Sequence, residues 1–345
     1  MTEASKVDGL TEARASWIGG LIFALSFDAD GRGRMINDAD AALEALPGSD
    51  GWLWLHFNLS DMRSQNFIAR QSGLPEDVRT LLLDDEDRHA LAGTPEAFAL
   101  VLSDFETEFD RNAGFEPSRL RLAFSGRLVI SVRRHPLLCV DKVKRSLVSG
   151  RAVKHPAMLI GLLGDTFADA SSDHIESFAD RFDDVEDAVI AGLRDAGDYG
   201  VARMRRTLLR LHREVAPMRS LMRRLTMFAA DAPETPAAVA ASEAGRLLLS
   251  LEGLDGEVRD LQARARLIRE EIDALASAET NRQLFILSVL SALFLPATLV
   301  TGLFGMNTHD LPFESSAGGF WYALILAALA TASVVAIIRY VGRQR

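Results

Sequence analysis

Two uncharged apolar spans constrain this 345-residue chain more than any other feature. Residues 284–308 contain no Asp, Glu, Lys, Arg or His, and neither do residues 315–338. Each exceeds the roughly 20 residues that a helix needs to cross a hydrocarbon core of about 30 Å. Lipid offers backbone groups no hydrogen-bond partners, so both spans are expected to be helices joined by a short loop, forming a transmembrane hairpin. Length argues against the competing reading, a hairpin buried in a large globular core.

Charge is distributed accordingly. Nearly all of the 48 acidic and 38 basic residues precede Leu284, so a charged body over residues 1–283 leads into a small membrane anchor. Glu3, Lys6, Asp8, Glu12 and Arg14 occupy the first 17 residues, and no apolar signal core follows, so no cleavable signal is expected. Cys139 is alone, which excludes an internal disulfide and suits a reducing compartment. Arg282 precedes the first span, and Arg339, Arg343 and Arg345 follow the second, whereas the loop between them has no Lys or Arg. The positive-inside rule then puts both termini and the body in the cytoplasm and faces the loop outward. A net charge of −10 argues against nucleic acid as a partner.

Residues 1–155 read as a mixed α/β domain, giving an α+β cytoplasmic body. Strands are expected at 20–28 (GLIFALSFD), 51–58 (GWLWLHFN), 98–105 (FALVLSDF), 120–124 and 128–132, with a hairpin turn at Ser125-Gly126-Arg127. Helices are expected at 62–72 and 75–83, followed by the acidic run Asp84-Asp85-Glu86-Asp87. Such a run is either a solvated helix end or a cation ligand set.

Residues 156–283 read as a helical stalk. Ile175, Phe178, Phe182, Val185 and Val189 repeat at helical spacing, as do Val201, Met204, Leu208, Leu211, Val215, Met218, Met222 and Leu225, a series that crosses Pro217. After the break at 231–236 (DAPETP), Leu247, Leu251, Leu254, Val258, Leu261, Ala265, Ile268, Ile272 and Leu275 keep a seven-residue period, the pattern of a coiled coil that could join copies. Nothing breaks this third helix before Leu284, so it is expected to run from about residue 242 to 304, roughly 95 Å. The first stalk helix is acidic and the second basic, and an antiparallel hairpin would let these charges compensate; contact of the basic helix with anionic lipid is the other reading.

The remaining segments are transmembrane helix 1 (284–304), an outer loop (305–319), transmembrane helix 2 (320–338) and a basic cytoplasmic tail (339–345). Asn281, Leu284, Ser288, Ser291, Leu295, Thr298 and Gly302 fall at intervals of 3 and 4 and form one face of the first span. Small and hydroxyl residues serve helix–helix packing in bilayers as well as a pore, and spacing alone does not choose. Two considerations favour the pore. A single hairpin encloses no channel, so conduction requires a ring, for which the stalk offers an assembly element. The face also lacks carboxylates, and neutral oxygens bind cations weakly enough to release them. Leu284, Leu287 and Leu295 supply candidate constrictions that close by dewetting.

At Gly305-Met306-Asn307 this order of parts resembles the CorA superfamily of divalent-cation transporters over nearly the whole chain. The resemblance implies a homopentameric funnel whose first transmembrane helix lines the pore. It implies that Asn307 forms an outer ring meeting the hydrated ion, that Gly305 and Met306 shape the turn, and that Asn281 and Thr298 are polar pore positions. Residues 301–307 (TGLFGMN), with Leu311-Pro312-Phe313 and Gly319-Phe320-Trp321, are more similar to the ZntB zinc-transporter branch than to the magnesium branch. His309-Asp310 departs from the small residues of the zinc branch. His309, Asp310 and Glu314 are outer-mouth candidates; His309 suits zinc, and an exposed loop histidine explains it equally well.

No His/Cys cluster has zinc-site spacing, since His56, His89, His135, His155, His174 and His212 are dispersed, so no resident metal or cofactor is expected. The leading reading is therefore an inner-membrane divalent-cation transporter, partnered by itself, lipid and its ions. Zinc is favoured, and magnesium, cobalt or nickel is the runner-up. A membrane-tethered sensor or scaffold is the alternative from another class, but it requires neither the polar face nor the Gly-Met-Asn loop. No phosphate loop, nucleophile elbow or paired metal-ligand motif points to an enzyme.

Overall fold

A computed structural model of the chain describes residues 18–70, 72–107, 116–191, 200–306 and 318–342. The strands are β1 (Leu21–Phe27), β2 (Gly33–Met35), β3 (Trp52–Asn58), β4 (Leu91–Gly93), β5 (Ala97–Phe105), β6 (Pro117–Ser125) and β7 (Leu128–Arg133). The helices are α1 (Ala39–Ala45), α2 (Met62–Arg70), α3 (Glu76–Leu83), α4 (Leu138–Val148), α5 (Met158–Ile190), α6 (Val201–Phe228), α7 (Pro236–Phe304) and α8 (Gly319–Gly342). Two compact units, Met1–Ile268 and Arg269–Arg345, divide inside α7 and not at the onset of the apolar span near Leu284.

The strands form one sheet in the order β2-β1-β3-β7-β6-β5-β4, antiparallel throughout except for the parallel pair β3 and β7. One face packs through Leu55, Phe57 and Ile130 onto Phe67, Ile68 and Leu82 of α2 and α3. On the other face α4 lies against β2 and β5. With both faces covered, the central strands are apolar runs and not clean alternations; residues 52–57 of β3 are all buried. Gly126 takes the positive φ of 55° that a two-residue hairpin turn requires, and Ser125 pairs with Leu128 across it.

Four elements lie outside the sequence-based expectation: α1, α4 and the edge strands β2 and β4. Each edge strand is only three residues long. The start of α4 carries no capping side chain of its own. The carboxylate of Asp104, on β5, instead accepts from the Cys139 and Val140 amides at 2.8 and 3.2 Å. A cap supplied from 35 residues away leaves no local signature.

The helical repeats are buried as expected, but their partners differ. Leu247 to Ile268 are buried within the single chain, while Ile272 is half-buried and Leu275 exposed. The heptad seam therefore closes an intrachain three-helix bundle with α5 and α6, and its burial needs no second copy. Helix α7 begins at Pro236, six residues before the expected start, where proline's missing N–H costs nothing.

Charge compensation also runs through α7. Arg246 pairs with Asp165 of α5 at 2.8 Å, and Arg264 pairs with Asp183 and Glu186. Arg219 and Arg223 of α6 pair with Asp255 and Glu252 at 2.6 and 3.5 Å. Among the described residues no ion pair joins α5 to α6, contrary to the expected direct compensation. These contacts set directions: α5 runs parallel to α7, and α6 runs antiparallel to both.

Candidate functional site

In the second unit the apolar windows of α7 and α8 are about 6% buried, so neither is the core of a globular domain. Val300 and Ala327 are buried, and Val289, Ala292, Leu293, Pro296, Ala297 and Phe304 are half-buried. At 100° per residue these α7 positions share one face. Ala297 lines a common groove with Leu324, Ala327, Ala328 and Thr331, so this is the face α8 covers.

Asn281, Leu284, Ser288, Ser291, Leu295, Thr298 and Gly302 are all exposed. Their shared direction lies roughly 160° from the covered face. Packing against the chain's own α8 therefore does not account for the polar stripe. Leu287 is exposed at the stripe's margin. The Thr298 hydroxyl donates to the Phe294 carbonyl at 2.8 Å, which commits its proton and leaves its oxygen as an acceptor. A hydrated cation presents water hydrogens outward, so an acceptor surface is what it can use.

The helix ends as Gly305 N–H donates to the Thr301 carbonyl at 2.9 Å. A Cβ on Gly305 would stand 3.1 Å from that same oxygen, which favours glycine there. Met306 is exposed. Asn307, His309, Asp310 and Glu314 lie outside the described residues. Pro296 escaped the sequence reading, although a proline inside an apolar span is a visible signal. Its ring removes the donor for the Ala292 carbonyl, a loss that membrane helices tolerate where neighbours re-satisfy the group.

Several candidate polar side chains of the first unit have structural partners. His56 is fully buried, stacks on Phe23 and bonds Ser131 Oγ at 2.7 Å; burial, with Arg133 and Lys144 nearby, holds it well below the ordinary histidine pKa. His89 bonds Ser103, which donates to Glu214 at 2.8 Å, and Glu214 pairs with Arg119 at 2.5 Å. In the acidic run, Asp85 pairs with Arg134 and Glu86 with Arg88. Among the described residues no three His, Cys, Asp or Glu side chains converge to hold a metal.

A charged α/β body joined to two exposed apolar helices, one with a polar face, defines an integral membrane protein with the parts of a transporter. Residues 49–343 match the family described as CorA-like Mg2+ transporter protein, and the chain belongs to that family, whose members are divalent-cation transporters and not enzymes. The divalent cation transporter CmaX of Pseudomonas aeruginosa is 30% identical over 320 residues, 89% of this chain and 92% of its own. The zinc transport protein ZntB of Pectobacterium atrosepticum is 26% identical over 319 residues, covering 90% and 92%. Among solved structures, full-length CmaX superposes with a TM-score of 0.77 at 26% identity, covering 93% of this chain and 97% of that one. The CorA magnesium transporter of Methanocaldococcus jannaschii superposes at 0.72 over 92% and 98%; at 14% identity that likeness concerns the fold.

Proposed function

We propose that this chain forms a homopentameric pore for divalent cations in the inner membrane, with both termini cytoplasmic and zinc the favoured ion. The observation that carries the reading is the polar stripe from Asn281 to Gly302, exposed on the side of α7 away from α8. In a ring, that face would supply hydroxyl, amide and carbonyl oxygens to a hydrated ion, and Leu284, Leu287 and Leu295 would narrow the path. Asn307 would form the outer ring, following the turn shaped by Gly305 and Met306. Zinc is supported by residues 301–307 and by the ZntB relatives. The description of the family as Mg2+ transporters supports magnesium as the second reading.

Neither span contains a titratable carboxylate or histidine, so proton coupling would have to act at the mouths, through His309, Asp310 or Glu314. Purified protein in proteoliposomes, loaded with a zinc or a magnesium indicator under an imposed pH gradient, tests the reading. Zinc influx exceeding magnesium influx at equal concentration supports it. Magnesium influx in excess reverses the ion assignment, and no influx of either ion defeats the pore. An unchanged pH profile in His309→Ala removes that residue from coupling.

A further inference from the structure

Among the described residues the acidic stripe of α5 has no ion-pair partner, and the basic face of α6 has one. Asp169, Asp173, Glu176, Asp180 and Asp187 recur at helical spacing as one exposed stripe, opposite the buried face of α5. The ion pairs of α5 to other helices use Asp165, Asp183 and Glu186 instead. On α6, Arg206, Arg210, Arg213 and Arg224 share another exposed face, and among the described residues only Arg210 of these has an ion-pair partner, Glu116 at 2.8 Å. Arg213 and Arg224, with Arg88 and Arg119, line a groove of about 420 Å³ in which Asp87 is the one carboxylate among the described lining residues. His89 lines the same groove, and burial, then the charges of Arg119 and Arg224, lower its pKa to about 4.

The two stripes also match in height. Arg264 of α7 pairs with Asp183 of α5, and Gln262, two residues earlier, donates to the Leu208 carbonyl of α6 at 3.1 Å. Asp183 and Leu208 therefore stand level on antiparallel helices. Counting away from that level brings Asp187 to Arg206, Asp180 to Arg213 and Asp169 to Arg224, each within two residues, or about 3 Å of rise. A cyclic assembly about an axis along the bundle preserves height, so the α5 stripe of one copy would meet the α6 face of the next in this register.

We infer that the acidic stripe of α5 docks along the basic face of α6 in a second copy of this chain, forming an ion-pair ladder at each subunit contact. The inference rests on the oligomeric reading proposed above. Single exposed pairs contribute little, but a ladder repeated around a ring accumulates, and salt screens it.

The test uses full-length protein in mild detergent, with mass measured from about 0.05 to about 1 M NaCl. The parent is expected to dissociate as salt rises. Asp169→Lys with Asp180→Lys, or Arg213→Glu with Arg224→Glu, should each weaken association roughly tenfold at low salt, and combining all four should restore it. Asp169→Asn with Asp180→Asn should act in the same direction with less risk to folding, which circular dichroism checks. An oligomer indifferent to salt and to every variant overturns the ladder and leaves the pentamer standing, whereas a parent that is monomeric at low salt overturns both. Loss in each pair of reversals without restoration in the combination also overturns the ladder. So does stabilisation of an unchanged oligomer by inorganic phosphate that Arg213→Glu abolishes, which would assign the groove to a small anion.

Discussion

Thr298 and Val300 stand two residues apart on α7 and face opposite ways: Thr298 is exposed on the polar stripe, and Val300 is buried against α8. A helical rotation of about 200° separates them. The pair converts an argument about periodicity into one about sidedness, because one helix gives its apolar face to its own hairpin partner and keeps the polar face free.

Cysteine accessibility should follow that division. Thr298→Cys treated with a cationic thiol reagent should lose flux roughly tenfold if the stripe faces a conducting path, whereas Val300→Cys should keep it. The native Cys139 adds no background, since it is buried and burial pushes its thiol pKa well up. Equal inhibition at both positions, measured as metal uptake before and after labelling, would remove the stripe from the pore.

How much was legible in the sequence varied with the range of the interaction. Strands β1, β3, β5, β6 and β7 and the repeats of α5 to α7 could be read because their burial is periodic along the chain. Helix α4 could not, because Asp104 caps it from another element. The heptad of Leu247 to Ile268 announced a packed seam but not its occupant, since a helix of the same chain and one of a neighbour demand the same spacing. The acidic and basic helices misled for a related reason: composition gives the sign of a face, while Arg246 and Arg264 of α7 decided which acids were used. For the candidate site, the stripe was fully legible, but its direction relative to α8 needed the fold.

Three glycines divide by the space around them. A Cβ on Gly164 of α5 would stand 2.0 Å from Leu247 Cδ2 in the buried seam, so Gly164→Ala should cost about 1–3 kcal/mol of stability. Gly253 and Gly256 of α7 meet nothing within 4 Å, so alanine at either should stabilise the helix by about 1 kcal/mol. Thermal melts of the purified variants check both signs. A lower melting temperature for Gly253→Ala would show that another surface occupies that space.

Acid should destabilise the first unit through two histidines held below their ordinary pKa. His89 is lowered to about 4 and His56 well below its usual value, so the folded chain resists protons that the unfolded chain accepts near pH 6.5. The contribution of His89 is fully present above pH 6.5 and is lost as pH falls from there towards 4, at up to about 1.4 kcal/mol per pH unit, and His56 acts in the same direction. His89→Gln, which can keep a hydrogen bond to Ser103, should flatten the fall of melting temperature between pH 6.5 and 5. A slope identical to the parent's would show that His89 does not carry the effect.

Asn307 offers the sharpest test of how an ion is met. A side-chain amide carries no charge, so a ring of them attracts a hydrated divalent ion through its water shell without stripping it. Asn307→Ala removes those contacts and should reduce flux at least roughly tenfold, while the oligomer keeps its mass and melting temperature. Asn307→Asp keeps the size and adds charge; tighter binding at the mouth should slow release, so flux should saturate at lower ion concentration and with a lower maximum. Concentration-dependent uptake into proteoliposomes at matched protein density separates the two variants. Parental flux from a folded, assembled Asn307→Ala protein would remove Asn307 from the ion path and leave recognition to the hydroxyl stripe below it.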